Sequence, residues 1–578
     1  MKTQTTVNFE EPMRLFASHA EALVDERGRT YFNVFRTEPA EAVFDWPDYV
    51  DLPARYLEAA AMIEPVVGGL VETVPALRKW LYGFVEADGL AYRPNDMIAN
   101  HEAELFDQAR YIHMLATWAM YDPEDREVRE RLANACRGLM GRATFEGDYA
   151  YINRIEVYFG GTLIRPMMQA ALVMNRPDWI DFAGKLTKGI LHHSEHFAAD
   201  GSFKGHHHGH LGCQAGMLAW ALVTGDDRVR DRVRQIFDWS RSISTSFGFV
   251  PEVAQRPDDL VACETCTLMD YLDAVLLLAR HVDPGYWDVA EKAARNHLME
   301  VQVRDASWLA QTPEKPDEED IIRSRIRQRV LGSFAGWSAP HAMLACAEEQ
   351  QRFTWVKSQE LQPRYWGKVR AIQNCCAGAG VRGLHQVWSN IATFADGQLS
   401  VNMLMGKRVP EARITGFAPF EGRATIQMLQ DCRLRFRPSS DLRPEQVNVR
   451  LNGRNVQTKW NGPFVEMGAV RRGDQIEVAY PLPQRREAVT IGNPGFQSYR
   501  FQADWKGDTV IAVEPDPNNA TTGHSHVMNQ RIPVYYGPDA PGRLYQRDAW
   551  RKDRTDVALS QPAPDDRRID WFSLRSKQ

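Results

Sequence analysis

The sequence lacks the features that mark secreted, membrane-bound and nucleic-acid-binding chains. Its 578 residues hold eight cysteines, too few for a disulfide framework in so long a chain. No run of about 18 apolar residues occurs, so no membrane-spanning helix is expected. The start, Met1 to Glu11, has no apolar core of a secretory leader. A reducing, cytoplasmic setting is therefore the expectation. No long basic run is present and the net charge is −6, which argues against a nucleic-acid partner. What is there is ordinary for a globular chain, 44% hydrophobic and 25% charged. At about 150 residues per domain the length allows several domains.

Residues 1–50 read as an irregular lead-in, with strand character at Val34-Phe35 and Val43-Phe44. From Leu52 the apolar spacing follows a 3.6-residue period. It places helices near 54–63, 67–86, 103–120, 126–141, 162–175, 179–193, 212–224, 228–242, 267–281, 286–300, 337–350 and 382–394. Short polar breaks such as Tyr121-Asp122-Pro123-Glu124 pair them as antiparallel hairpins. Six hairpins can close into a toroid with a ligand site at one mouth; an open solenoid is the alternative. After Gln398 the period drops to two, with strand-like runs at 399–405, 424–429, 447–451, 475–480 and 508–514. With turn signals such as Asn452-Gly453 between them, these runs predict an antiparallel β-sandwich. The expected units are 1–398, 399–514 and a surface-wrapping extension over 515–578, rich in Pro, Asp and Arg.

Two stretches carry candidate chemistry. Asn374-Cys375-Cys376-Ala377-Gly378-Ala379-Gly380 places adjacent thiols before a small-residue loop and a helix. Vicinal cysteines form a strained disulfide, so metal ligation or a reactive thiolate fits them better. The bland alternative is two small buried residues. Glu264-Thr265-Cys266 precedes another apolar helix, and an extended chain there would turn Glu264 and Cys266 to one side. One carboxylate and three sulfurs suit tetrahedral zinc. Four histidines within His206-His207-His208-Gly209-His210 form another conspicuous cluster, which a polar loop would also explain.

These motifs, with Tyr286-Trp287, Glu291, Asn296, Arg382 and Asp396-Gly397-x-Leu399-x-Val401-Asn402, resemble glycoside hydrolase family 127, the β-L-arabinofuranosidase-like group. The resemblance implies an (α/α)6 barrel followed by a C-terminal antiparallel β-sandwich. It implies Zn2+ held by Glu264, Cys266, Cys375 and Cys376, and Cys375 as nucleophile of a retaining hydrolase. The substrate would be a non-reducing-end furanoside, L-arabinofuranoside-like, or a related sugar. Three thiolates and a carboxylate around zinc sum to −2, so either one ligand is loosely held or a nearby cation compensates; Arg382 and the histidines are the candidates. Glu252 is the candidate acid, although its interval to Glu264 is about four residues shorter than the family pattern; Asp258 and Asp259 are weaker choices. His208, His210, Glu156 and Tyr158 are the candidate sugar contacts. The family's Gly-His pair is Gly161-Thr162 here, and the Pro-Asn after the paired cysteines is Ala377-Gly378. Both departures fall at the pocket and point to a sugar other than L-arabinofuranose. The alternatives are a polysaccharide lyase or sugar epimerase on the same barrel with structural zinc, or a non-catalytic carbohydrate-binding protein. A small carbohydrate is the expected partner, with a homodimer as a candidate assembly.

Overall fold

The computed structural model describes residues 5–25, 28–30, 34–37, 40–43, 48–96, 99–157, 160–255, 262–309, 316–318, 321–343, 372–492, 498–517, 522–527, 530–535, 542–546, 548–551, 559–562 and 571–572. Its helices are α1 (Glu10–Leu23), α2 (Asp51–Val67), α3 (Thr73–Tyr82), α4 (Leu105–Tyr121), α5 (Arg126–Gly141), α6 (Ile164–Met174) and α7 (Pro177–His192). They continue with α8 (His207–Gly212), α9 (Gln214–Thr224), α10 (Asp227–Ser242), α11 (Thr265–His281), α12 (Tyr286–Ala293), α13 (Ile326–Val330) and α14 (Asn374–Asn390).

The inner ring is α2, α4, α6, α9, α11 and α14. Each packs on the next and α14 packs back on α2, so the solenoid alternative is excluded: the ring closes. α3, α5, α7, α10 and α12 lie outside, each on the inner helix beside it in sequence. The two layers differ in pattern for a physical reason. α10 buries one stripe, Val229, Val233, Ile236, Phe237 and Ser240, because its other face meets solvent. α11 is buried all round from Thr265 to Ala279, since it touches neighbours, outer layer and barrel axis.

The sixth outer place belongs to α1, which packs on α2 and α14. The reading of 1–50 as irregular missed it, although Met13, Phe16, Ala17, Ala20 and Leu23 are buried on one face at helical spacing. The helix expected over 337–350 is not formed in its described part, where Trp337–Ser338 is a strand; residues 344–350 lie outside the described residues. The helix expected over 382–394 starts earlier, at Asn374, and ends at Asn390. The small-residue stretch after the cysteines is thus helix, not loop. Its glycines are there for close approach. A Cβ on Gly378 would sit 2.9 Å from Arg55 Cβ of α2, and one on Gly380 would meet the Phe334 ring at 2.5–2.7 Å.

Beyond α14 the chain forms the β-sandwich. One sheet orders Ala392–Ala395, Gln398–Val401, Cys432–Phe436, Phe464–Val470 and Lys459–Asn461; the other orders Lys407–Arg408, Ala412–Gly416, Arg423–Met428, Gln475–Ala479, Asn448–Leu451 and Arg454–Asn455. Pairing is antiparallel except between Gln398–Val401 and Cys432–Phe436. Alternate residues such as Ile426, Met428, Leu434, Phe436, Ile476 and Val478 fill the core. A third sheet, Gln484–Gly492, Ser498–Lys506 and Thr509–Pro515, is tied to the barrel through Val510 N–H donating to Asn296 Oδ1 at 2.9 Å.

The extension after 515 does not merely wrap the surface. Leu544, Tyr545, Trp571 and Phe572 are buried. Trp571 lines a cavity at the C-terminal ends of the inner helices with Met62, Tyr121, Gln386 and Asn390. Arg165 Cζ lies 3.5 Å from its ring centre, so this tryptophan closes the mouth opposite the cysteines. Among the described residues no helix is long and apolar enough to cross a membrane.

Candidate metal and catalytic centre

The centre lies at the N-terminal ends of the inner helices. Glu264 is the residue before α11, in extended conformation at φ −83°, ψ 131°, and Cys266 is the second residue of the helix. The extended stretch expected to include both ends between them: the strand Cys263–Glu264 pairs with Trp337–Ser338, and the helix begins at Thr265. First-turn side chains of a helix point back toward its N-terminus, so convergence comes from the helix start. Cys375 and Cys376 occupy the corresponding first turn of α14.

One ligand atom from each of Glu264, Cys266, Cys375 and Cys376 lies within 4.8 Å of all the others. Cys266 Sγ is 3.4 Å from Cys376 Sγ, and Cys375 Sγ is 4.0 Å from Cys376 Sγ. Tetrahedral zinc–thiolate bonds of about 2.3 Å give sulfur–sulfur edges of about 3.8 Å, so these residues fit a zinc ion. Cys266 and Cys376 are buried, whereas Cys375 is half-buried and is the sulfur a substrate can reach. Two helix N-termini converge on the thiols, and their partial positive charge favours thiolate.

The compensating cation is Arg55 of α2, which sequence reasoning did not single out. Its guanidinium donates to Cys266 Sγ at 3.5 Å and to Asp51 at 2.8 and 3.0 Å. The signal available was an Asp51-x-x-x-Arg55 pair at i, i+4 in a helix buried on every side. Arg382, one of the expected cations, lies nearly two turns below the cysteines on α14, whereas His206, one of the histidines also expected, stands 3.3 Å from Glu264. Arg382 meets Glu58 at 3.6 Å, Asp270 at 3.5 Å and Asp273 at 3.6 Å, and its charge is balanced there.

His206 is the second residue that selection of His208 and His210 passed over. The strand Gly205–His206 pairs with Val253–Ala254, His206 opposite Val253, which brings the imidazole beside Glu252. Its Nε2 is 3.5 Å from Glu252 Oε1 and 3.3 Å from Glu264 Oε2. Glu252 is 1% exposed. Its Oε2 and the Trp337 indole nitrogen each lack a hydrogen-bond partner, and the indole lies near enough to help lower the Glu252 carboxyl.

His208 is buried in the axis, its Nδ1 2.5 Å from Asp270 Oδ2 and its Nε2 3.4 Å from an Arg110 nitrogen. His210 packs away from the metal ligands. Its ring stacks on Phe203 at 4.2 Å and its Nδ1 is 2.7 Å from the His206 carbonyl. Glu156 is a partly exposed residue whose Oε1 is 3.7 Å from His196 Nε2, and His196 meets His210 edge-on. Tyr158, Asp258 and Asp259 lie outside the described residues.

The titration of these groups follows from this packing. Burial raises the Glu252 carboxyl to about 7, with His206 opposing. Burial also works against ionised Glu264, but His208 and His206 outweigh it and hold that carboxyl at about 2. Burial lowers His206, yet its two carboxylate neighbours outweigh this and raise it to about 10. Cys375 is lowered to about 6, chiefly through contacts with the Cys266 and Cys376 thiols, with Arg55 assisting against burial. Burial, helped by the neighbouring histidines, lowers His210 to about 3 and leaves it neutral. The arrangement therefore sets an ionisable sulfur near a carboxyl that keeps its proton near neutral pH.

No family model matches the chain, and no curated protein matches it in sequence. In solved structures it is similar to a GH127 β-L-arabinofuranosidase from Geobacillus stearothermophilus T6, with a TM-score of 0.55 and 15% identity over 87% of this chain and 80% of that one. It is also similar to a second GH127 β-arabinofuranosidase, at TM-score 0.59 and 13% identity over 96% and 95% of the two chains. A third, a glycoside hydrolase, aligns at TM-score 0.52 and 11% identity over 93% and 99%. At these identities the likeness establishes a shared fold, a barrel followed by a sandwich.

Proposed function

We propose that this chain is a zinc-dependent retaining glycoside hydrolase, with Cys375 as nucleophile and Glu252 as general acid–base. The observation that carries the reading is the pairing at one barrel mouth of a four-ligand set, whose Cys375 is its accessible sulfur, with a buried carboxyl raised to about 7. Zinc, held by Glu264, Cys266, Cys375 and Cys376, would keep the sulfurs ionised and make a thiolate a better leaving group.

In the first step Glu252 gives its proton to the leaving oxygen as the glycosidic C–O bond breaks. The Cys375 sulfur forms a bond to the anomeric carbon. In the second step Glu252, now ionised, takes a proton from water, the water oxygen attacks that carbon, and the carbon–sulfur bond breaks. Two inversions retain configuration. Arg55 holds countercharge at Cys266, and His206 orients Glu252 and Glu264. The substrate class is a non-reducing-end furanoside, L-arabinofuranoside-like or a related sugar, with His208 at the margin of the site. Thr162 in place of the family's histidine favours the related sugar.

Aryl furanosides and pyranosides, assayed with and without chelator, test the activity. Cys375→Ser is expected to abolish turnover with the fold kept. A furanose-based electrophile is expected to label Cys375, located by mass spectrometry. Labelling of Glu252 instead would mean a two-carboxylate mechanism with structural zinc.

A further inference from the structure

Beside the thiolate set lies a second group, His206, Glu252 and Glu264, with one ligand atom of each within 4.8 Å of the others; His206 Nε2 faces Glu252 Oε1 and Glu264 Oε2. An imidazole donating to a carboxylate closes to about 2.7–3.2 Å. Here the separations are 3.5 and 3.3 Å. Zinc bonds to nitrogen and oxygen of about 2.0–2.2 Å set tetrahedral ligand–ligand edges of about 3.4 Å. The two His206 separations thus suit adjacent ligands on one ion as well as a long ion pair.

An independent observation points the same way. Glu252 is 1% exposed and Glu264 7% exposed, and Oε2 of Glu252 has no partner. Burying a carboxylate without full hydrogen-bond pairing is costly, and a cation held by Glu252 would offset that cost. Glu264 belongs to both ligand groups, and a carboxylate can bind one metal through each oxygen, as in two-metal sites whose ions lie about 3.5–4 Å apart. One imidazole and two carboxylates suit a divalent zinc-like ion with an open position.

We propose that His206, Glu252 and Glu264 form a second divalent-metal site that is inhibitory. The metal binds the Glu252 carboxyl that would carry the transferable proton, so occupation removes the acid while leaving the thiolate set intact. The inhibitory part rests on the acid role of Glu252 given above; the existence of the site does not.

The full chain, stripped of metal, is titrated with cobalt(II) and separately with zinc, and bound zinc is counted by mass spectrometry after gel filtration. The first cobalt equivalent is expected to give an intense sulfur-to-cobalt charge-transfer band. The second should add only weak d–d absorption, since it has nitrogen and oxygen ligands. At saturating zinc the wild type should retain two ions per chain. His206→Gln and Glu252→Gln should each retain one while keeping the charge-transfer band, which also reports that their first site is folded. A wild-type stoichiometry of one at saturation overturns the site. So does a stoichiometry of two that neither variant lowers. Glycosidase turnover should fall as the second equivalent binds and return when it is chelated. A second ion that binds through His206 without slowing turnover leaves the site standing and overturns the acid role of Glu252.

Discussion

Replacing Arg55 with methionine tests how the negative charge of the centre is balanced. Its guanidinium stands 3.5 Å from Cys266 Sγ. At that distance and an effective dielectric constant of about 20, full unit charges would attract by about 5 kcal/mol. Asp51, at 2.8 and 3.0 Å from Nε, cancels much of this, leaving on the order of 2 kcal/mol at the thiolates. That corresponds to about 1.5 pH units. In metal-free protein the alkylation of Cys375, with its thiol at about 6, should move its midpoint upward by roughly this amount. Zinc affinity, measured by chelator competition, should weaken about 30-fold. Asp51 loses a partner but keeps Arg110 at 3.5 Å, so the fold should survive, and thermal melting checks that. Arg55→Lys keeps the charge and should recover most of the affinity. Gly378→Ala reaches the same contact from α14, because its Cβ would stand 2.9 Å from Arg55 Cβ; it should weaken zinc binding without changing any charge. Unchanged midpoint and affinity in Arg55→Met would refute the countercharge role.

The other predictions concern pH, packing and closure. Because the acid must hold its proton and Glu252 is raised to about 7, kcat/KM should fall as pH rises through about 7; Glu252→Gln should remove this alkaline limb along with most activity, and a wild-type profile flat from pH 6 to about 9 would count against the role. Gly380→Ala forces a methyl group against the Phe334 ring at 2.5–2.7 Å and should lower stability by about 1–3 kcal/mol in denaturant titration. Trp571→Ala removes the plug under Arg165 and should lower stability by about 3 kcal/mol; a change below about 0.5 kcal/mol would mean the C-terminal segment does not close that mouth.

The sequence by itself determined the change from helices to strands and the residue types of the candidate ligand set. A 3.6-residue period up to the low 390s and a two-residue period afterwards is local information, set by which side of each helix or strand meets the core. Glu264-x-Cys266 and Cys375-Cys376 were legible because their residue types are rare together and have few other uses. Only the tertiary structure decided which partners surround them. Arg55, 211 positions from Cys266, reaches the thiolates because α14 closes the ring onto α2. His206 rather than His210 meets Glu252 because a two-residue strand pairing opposes it to Val253. Arg382 is drawn to Glu58, Asp270 and Asp273 one level down the axis. α1 completes the barrel from near the start of the chain, against α14. In each case the deciding contact joins segments far apart in the chain, and local periodicity carries no information about which distant segment a side chain will face.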